Sequence, residues 1–237
     1  MTETEWLASE DPTAMLDWLR QTGKGSDRRL RLFAIASVLR VSQLLTPQAH
    51  EALDVAERFA EGLARTEDRK AAREAALSAG VVGPSAMPLE MVRHARGPAK
   101  ASACWTLARR GIEAAKMAVY YSSQAERQFR LNKARANSDS AWAGALAEQM
   151  AARAALLRDI FGNPFRAAPV MERAWLKPDV VELAQPAYDQ RSFERMPELA
   201  TALEKAGCNN RDVLGHYRLA GEHVKGCWVV DLVLGKE

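Results

Sequence analysis

Chemically versatile side chains are scarce in this chain, which has three cysteines and four histidines among 237 residues. An odd number of thiols leaves no closed disulfide framework, and reduced cysteines are expected. No run of eighteen apolar residues occurs, which argues against a membrane-crossing helix. Met1 to Glu10 is acidic and polar and lacks the apolar stretch of a secretory signal, so a cytoplasmic setting is expected. A net charge of +3 is too small to imply nucleic acid or a membrane surface. A Gly-rich phosphate loop, a Gly-x-Ser-x-Gly elbow and a His-Glu-x-x-His pair are all missing. So is the Glu-x-x-His pair of a di-iron bundle, and Glu148, Asp159, Asp189 and Asp231 are scattered. No catalytic residue is identified, and no stretch reads as a β-strand. The Val-Val pairs at 81, 180 and 229 are short and lie between helix signals.

What is present is helix punctuation. Asp11-Pro12 is a cap followed by proline at the first helical position, and Gly23 is a stop. Ser26 caps a second helix with Leu30, Phe33, Ala34, Val38 and Val41 at helical spacing. Thr46-Pro47 opens a third, and Thr66 caps a fourth that ends near Gly80. Residues 80–98 carry Gly80, Gly83, Pro84, Pro88, Gly97 and Pro98 and read as a connector, with one turn expected at Leu89 to His94. Pro98 opens the longest helical region, running to about Phe161, with a break at Asn137-Ser138-Asp139. Gly162-Asn163-Pro164-Phe165 is a sharp stop. The loop that follows is expected to be ordered, with Phe165, Val170 and Trp175 as its apolar anchors. Shorter helices begin near Pro178, Pro197 and Asn210, with an early end or kink at Pro186 and Gly207 as a C-terminal stop. A final helix is expected from Val224 to Leu234, with Trp228 and Leu232 inward, Val229 and Val233 widening the apolar face, and Asp231 and Lys225 on the wetter side.

Two of the cysteines and two of the histidines fall in one stretch, as Cys208-x7-His216-x6-His223-x3-Cys227. Two thiols and two imidazoles are a sufficient donor set for tetrahedral zinc. The spacing matches no standard zinc module, because no close Cys-x2–4-Cys pair is present. On a helix, His223 and Cys227 would share one face. The alternative is that both cysteines are small core residues and both histidines are polar groups at helix ends. A nucleophilic Cys227 assisted by His223 lacks any nameable orienting group or oxyanion donor.

Arg127, Arg130 and Lys133 recur along one stripe with Arg135 beside them. Such a stripe can track phosphates. It lacks interleaved aromatics, so a solvated helix face is the expectation and nucleic acid is not an expected partner. The six tryptophans, at 6, 18, 105, 142, 175 and 228, read as inter-helix anchors.

Three blocks carry a resemblance. The first is Ser26-Asp27-Arg28-Arg29-Leu30-Arg31-Leu32-Phe33-Ala34, preceded by Glu5-Trp6-Leu7 and Asp11-Pro12. The second is Leu157-Arg158-Asp159-Ile160-Phe161-Gly162-Asn163-Pro164-Phe165-Arg166. The third is Ala206-Gly207-Cys208, His216, then His223-Val224-Lys225-Gly226-Cys227-Trp228-Val229-Val230-Asp231-Leu232. Together they resemble a group of uncharacterised helical proteins abundant in planctomycetes and related large-genome bacteria. The resemblance implies a bacterial origin and an expanded paralogous set, and it supplies no activity. Members of that group often carry several cysteines after the Arg-Leu-Phe-Ala motif, where this chain has Ile35, Ala36, Ser37 and Val38. Small buried residues of either kind pack alike there.

The sequence therefore leads to an all-α protein of about eight to eleven helices. A helical body at residues 1–161 precedes a C-terminal helical subdomain at residues 162–237, expected to pack on it. The expected role is a non-enzymatic protein-interaction or regulatory module of a bacterial assembly, with a protein partner. The alternative is a zinc-stabilised regulatory or nucleic-acid-associated protein with Cys208, His216, His223 and Cys227 as ligands.

Overall fold

The computed structural model describes residues 1–78, 96–134, 139–218 and 221–236, apart from the side chains of residues 133–134 and 139–142. The chain is all-α, with no strand among the described residues. Its twelve helices there are α1 (Glu3–Ala8), α2 (Pro12–Thr22), α3 (Asp27–Leu39), α4 (Pro47–Ala60), α5 (Thr66–Ser78), α6 (Arg96–Thr106), α7 (Gly111–Ala134), α8 (Asp139–Phe161), α9 (Pro178–Gln190), α10 (Met196–Lys205), α11 (Arg211–Arg218) and α12 (Trp228–Leu234). The count exceeds the expected range because the acidic N-terminal run contributes α1, which starts just after Thr2 and carries a fully buried Trp6. The expected turn at Leu89 to His94, the break at Asn137-Ser138 and Arg135 lie outside the described residues, as do the side chains of Lys133 and Trp142.

Three of the caps read from sequence form as expected, whereas Thr66 is the first residue inside α5 and Arg65 precedes it at the cap position. Asp11 accepts from the N–H of Thr13 at 2.8 Å, Ser26 from Arg29 at 3.3 Å and Thr46 from Ala49 at 3.3 Å. Gly23 closes α2 in the left-handed region, at φ 68°. No helix among the described residues is long and apolar enough to cross a membrane.

The chain divides into two compact units at Ala154/Ala155, inside α8 and earlier than the boundary expected at residue 162. In the first unit, α3 and α6 pack on the long α7 through small residues, among them Ala34, Ala103, Ala114 and Ala118. The expected long helix after Pro98 is interrupted at residues 107–110. Arg31 is buried and donates to the carbonyls of Ala108 at 2.8 Å and Arg109 at 2.7 Å, while Arg69 donates to that of Leu107 at 2.6 Å. These guanidiniums satisfy the backbone carbonyls of the irregular segment between α6 and α7. Both also sit over the ring of Phe59, 4.8 and 5.4 Å from its centre. The backbone then turns at Gly111, whose N–H donates to Asp27 at 2.6 Å; a Cβ at that position would lie 2.7 Å from the Asp27 carbonyl.

The second unit has its own core. Trp175, Val180, Ala184, Tyr188, Met196, Leu199, Leu203, Tyr217, Val229 and Val233 are among its buried residues. Helix α9 runs through Pro186 to Gln190 instead of ending early, and the left-handed Arg191 at φ 57° caps it by donating to the Pro186 carbonyl. In the loop before α9, Trp175 is buried as expected. Phe165 is only half-buried and Val170 is 82% exposed, so of the three expected anchors only Trp175 is a core residue.

Candidate metal centre

Gly207 and Cys208 decide which cysteine takes part. Helix α10 ends in a two-bond left-handed cap, in which the N–H of Gly207 donates to the Glu204 carbonyl and that of Cys208 to the Leu203 carbonyl, both at 2.9 Å. Gly207 stands at φ 96°. The residue after the left-handed glycine in such a cap packs back on the helix that it closes. Cys208 does so and is buried in the apolar core with Leu203. It is absent from the cluster formed by the other residues expected as ligands, and its place is taken by a carboxylate.

That cluster is Asp159, His216, His223 and Cys227, with one ligand atom from each and all four within 4.8 Å of one another. Asp159 lies in the last turn of α8, His216 in α11, His223 in the segment between α11 and α12, and Cys227 caps the start of α12. The segment holding His223 is not helical, contrary to the expected helix from Val224. Gly226 at φ 92° turns the chain there. The N–H of Val224 donates to Oδ2 of Asp159 at 2.9 Å instead of to a helical carbonyl. His223 and Cys227 thus meet through a loop wrapped on a carboxylate, not through one helix face.

Oδ1 of Asp159 lies 2.7 Å from Nδ1 of His223 and 3.1 Å from Nε2 of His216. The same Nε2 lies 3.1 Å from Sγ of Cys227, and Sγ lies 4.0 Å from Nδ1 of His223. A tetrahedral zinc ion with bonds of about 2.0–2.1 Å to N and O and about 2.3 Å to S holds its ligand atoms about 3.3–3.6 Å apart. The observed separations bracket those edges.

The electrostatics follow from burial. Burial raises the Asp159 pKa, but hydrogen bonds from His216 and His223 outweigh it and hold the carboxyl below its ordinary 3.8. The thiol of Cys227 is fully buried and is pushed well above 9.0, first by burial and then by the charge of Asp159. The backbone N–H groups of Val230 and Val229 oppose that shift only in part.

This is not the geometry of a nucleophilic triad. A triad histidine takes the nucleophile's proton on one ring nitrogen and is oriented through the other. Here Asp159 and Cys227 both face Nε2 of His216, and Nδ1 accepts the indole N–H of Trp228 at 3.2 Å. A buried thiol held protonated is also a poor nucleophile.

The tail helix buries Val229 and Val233 as expected, but its inward face is turned toward Asp231 and away from Trp228 and Leu232. Val229, Val230, Asp231 and Val233 are buried, whereas Trp228 and Leu232 are half-buried. The register follows from Cys227, which the cluster fixes at zero exposure.

The arginine stripe is engaged locally where it is described. Arg130 pairs with Glu126 at 3.2 Å and Glu148 at 3.0 Å, and the half-buried Arg127 donates to Gln124. Of the residues in the cluster, Asp159 is the one that sequence reasoning missed. The available signal was an acidic residue in the last turn of an apolar helix, where the helix dipole disfavours it. Comparison of the chain with protein-family models, with curated proteins and with solved structures returned no match.

Proposed function

We propose that the C-terminal unit is a metal-stabilised helical module, in which Asp159, His216, His223 and Cys227 hold one zinc-class divalent ion. On this reading the protein is a non-enzymatic interaction or regulatory component of a bacterial assembly, and the metal fixes the shape it offers to a protein partner. The observation that carries the reading is the convergence of one oxygen, two imidazole nitrogens and one sulfur within 4.8 Å, from two helices and the segment that leads into α12.

Charge supports a divalent ion. A buried charge needs compensation. An ionised Asp159 and a Cys227 thiolate sum to minus two, which a divalent cation cancels, with both histidines neutral. The ion would also supply the free energy that converts the protonated thiol into a ligand. One thiolate, two imidazoles and one carboxylate suit zinc better than magnesium or calcium, which take oxygen ligands. Four protein ligands close the coordination shell, as in structural sites, and leave no open position for a substrate.

Cobalt substitution tests the reading. Full-length protein titrated with Co²⁺ should develop tetrahedral d–d bands and a thiolate-to-metal charge-transfer band, saturating at one equivalent. Cys227→Ser should abolish the charge-transfer band, while Cys208→Ser should keep it. A band that depends on Cys208, or no band at all, contradicts the proposed ligand set.

A further inference from the structure

Trp228 stands between the cluster and a glycine made to receive it. Its indole lies against Gly162, where a Cβ would be 3.2 Å from three of the ring atoms and where the backbone is left-handed at φ 60°. On the other side, the indole N–H donates to Nδ1 of His216 at 3.2 Å, with the two rings 61° apart. An indole nitrogen can only donate. Nδ1 of His216 therefore presents a lone pair, and the single proton of a neutral ring sits on Nε2. That nitrogen is the one that points into the cluster, 3.1 Å from both Asp159 and Cys227.

A metal ion at Nε2 needs the lone pair of that nitrogen, which moves the ring proton to Nδ1. Two N–H groups would then face each other along the present hydrogen bond. In metal sites the outer nitrogen of a ligating histidine normally donates to a carboxylate, a carbonyl or water. Here it meets a donor. The Trp228 hydrogen bond and a metal on neutral His216 therefore exclude one another.

Resting on the metal reading of the same cluster, we infer that Trp228 is a metal-responsive latch. In the metal-free centre its indole is held on His216. Ion binding breaks that bond and moves the indole, which is half-buried. Because Trp228 is the first residue of α12, occupancy of the centre is linked to the side chain at the start of the tail helix. Linkage is reciprocal, so whatever holds the indole on His216 weakens metal binding by the same factor.

The test uses the full chain and zinc alone. The six tryptophans give separate indole N–H resonances in a nitrogen-15 spectrum, and the one missing in Trp228→Phe identifies residue 228. One equivalent of zinc should move that resonance away from its hydrogen-bonded position. Trp228→Phe keeps an aromatic ring against Gly162 but removes the donor, so it should bind zinc about tenfold tighter than wild type, the scale of one hydrogen bond that no longer has to be broken. Zinc bound at one equivalent with an unmoved Trp228 resonance overturns the latch and leaves the metal centre standing. Equal or weaker zinc binding by a folded Trp228→Phe does the same. Failure of both proteins to bind zinc overturns the metal reading and the latch with it. If Trp228→Phe does not fold, the wild-type resonance alone decides.

Discussion

Asp159 is the residue on which the second unit turns. It is 5% exposed and accepts from His216, His223 and the Val224 backbone, tying α8 to α11 and to the loop before α12. Asp159→Asn keeps the shape but places an amide donor among donors. It should destabilise the metal-free protein by about 2–3 kcal/mol, the scale of hydrogen bonds to a buried charged group, as read by urea unfolding. Because its folded pKa lies below 3.8, the stability that Asp159 contributes is complete above the unfolded carboxylate range. It is lost as pH falls below 3.8 through the folded value. Wild type should therefore show an acid-limb loss of stability that Asp159→Asn lacks, and equal pH profiles would contradict this. Gly162→Ala is the second probe at this scale. An L-residue in the left-handed region costs about 1–2 kcal/mol, and the new methyl would press on Trp228. The expected result is a loss of that size or more, together with a shifted Trp228 indole resonance. At the residue scale, three of the four cluster members were legible in the sequence, because the tail concentrates thiols and imidazoles. Cys208 misled because spacing alone does not reveal that Gly207 turns it into a helix cap. Asp159 is remote in sequence and gives only the weak signal of a carboxylate at the wrong end of a helix.

At the scale of elements, local chemistry wrote most boundaries into the sequence. Asp11-Pro12, Ser26, Thr46-Pro47, Gly23 and Gly207 all do what their types dictate. The boundaries that escaped are those set by tertiary partners. The break between α6 and α7 depends on Arg31 and Arg69, which arrive from α3 and α5. The start of α12 is delayed to Trp228 by the hold of Asp159 on Val224. Pro186 predicts a kink or an early end; α9 does not end there, and its buried Ala187 and Tyr188 keep the last turn packed. Arg31→Met tests the first of these. It fills similar volume but leaves the Ala108 and Arg109 carbonyls without their donor and Asp27 without its pair. A destabilisation of about 2–4 kcal/mol is expected in denaturant, and a change within about 0.5 kcal/mol would mean that water replaces the guanidinium at no cost.

For the whole molecule, the all-α class was legible because no segment alternates with a period of two and every long apolar pattern has a helical repeat. Function was not legible in that way, since helices without a catalytic set define an object and not an activity. The proposed function rests on the cluster in the second unit, drawn from α8, α11 and the segment that leads into α12. An ion present at about 1,000 times its dissociation constant adds about 4 kcal/mol to the unit that holds it, so chelation should lower the unfolding temperature of wild type and leave Cys227→Ser unchanged. The most direct measurement is the zinc content of the purified full-length protein, counted per chain by native mass spectrometry beside Asp159→Asn and Cys208→Ser. The account expects one zinc in wild type and in Cys208→Ser, and markedly less in Asp159→Asn. A chain that carries no zinc in any of the three after exposure to a stoichiometric supply, or one that keeps it in Asp159→Asn and loses it in Cys208→Ser, would contradict the account.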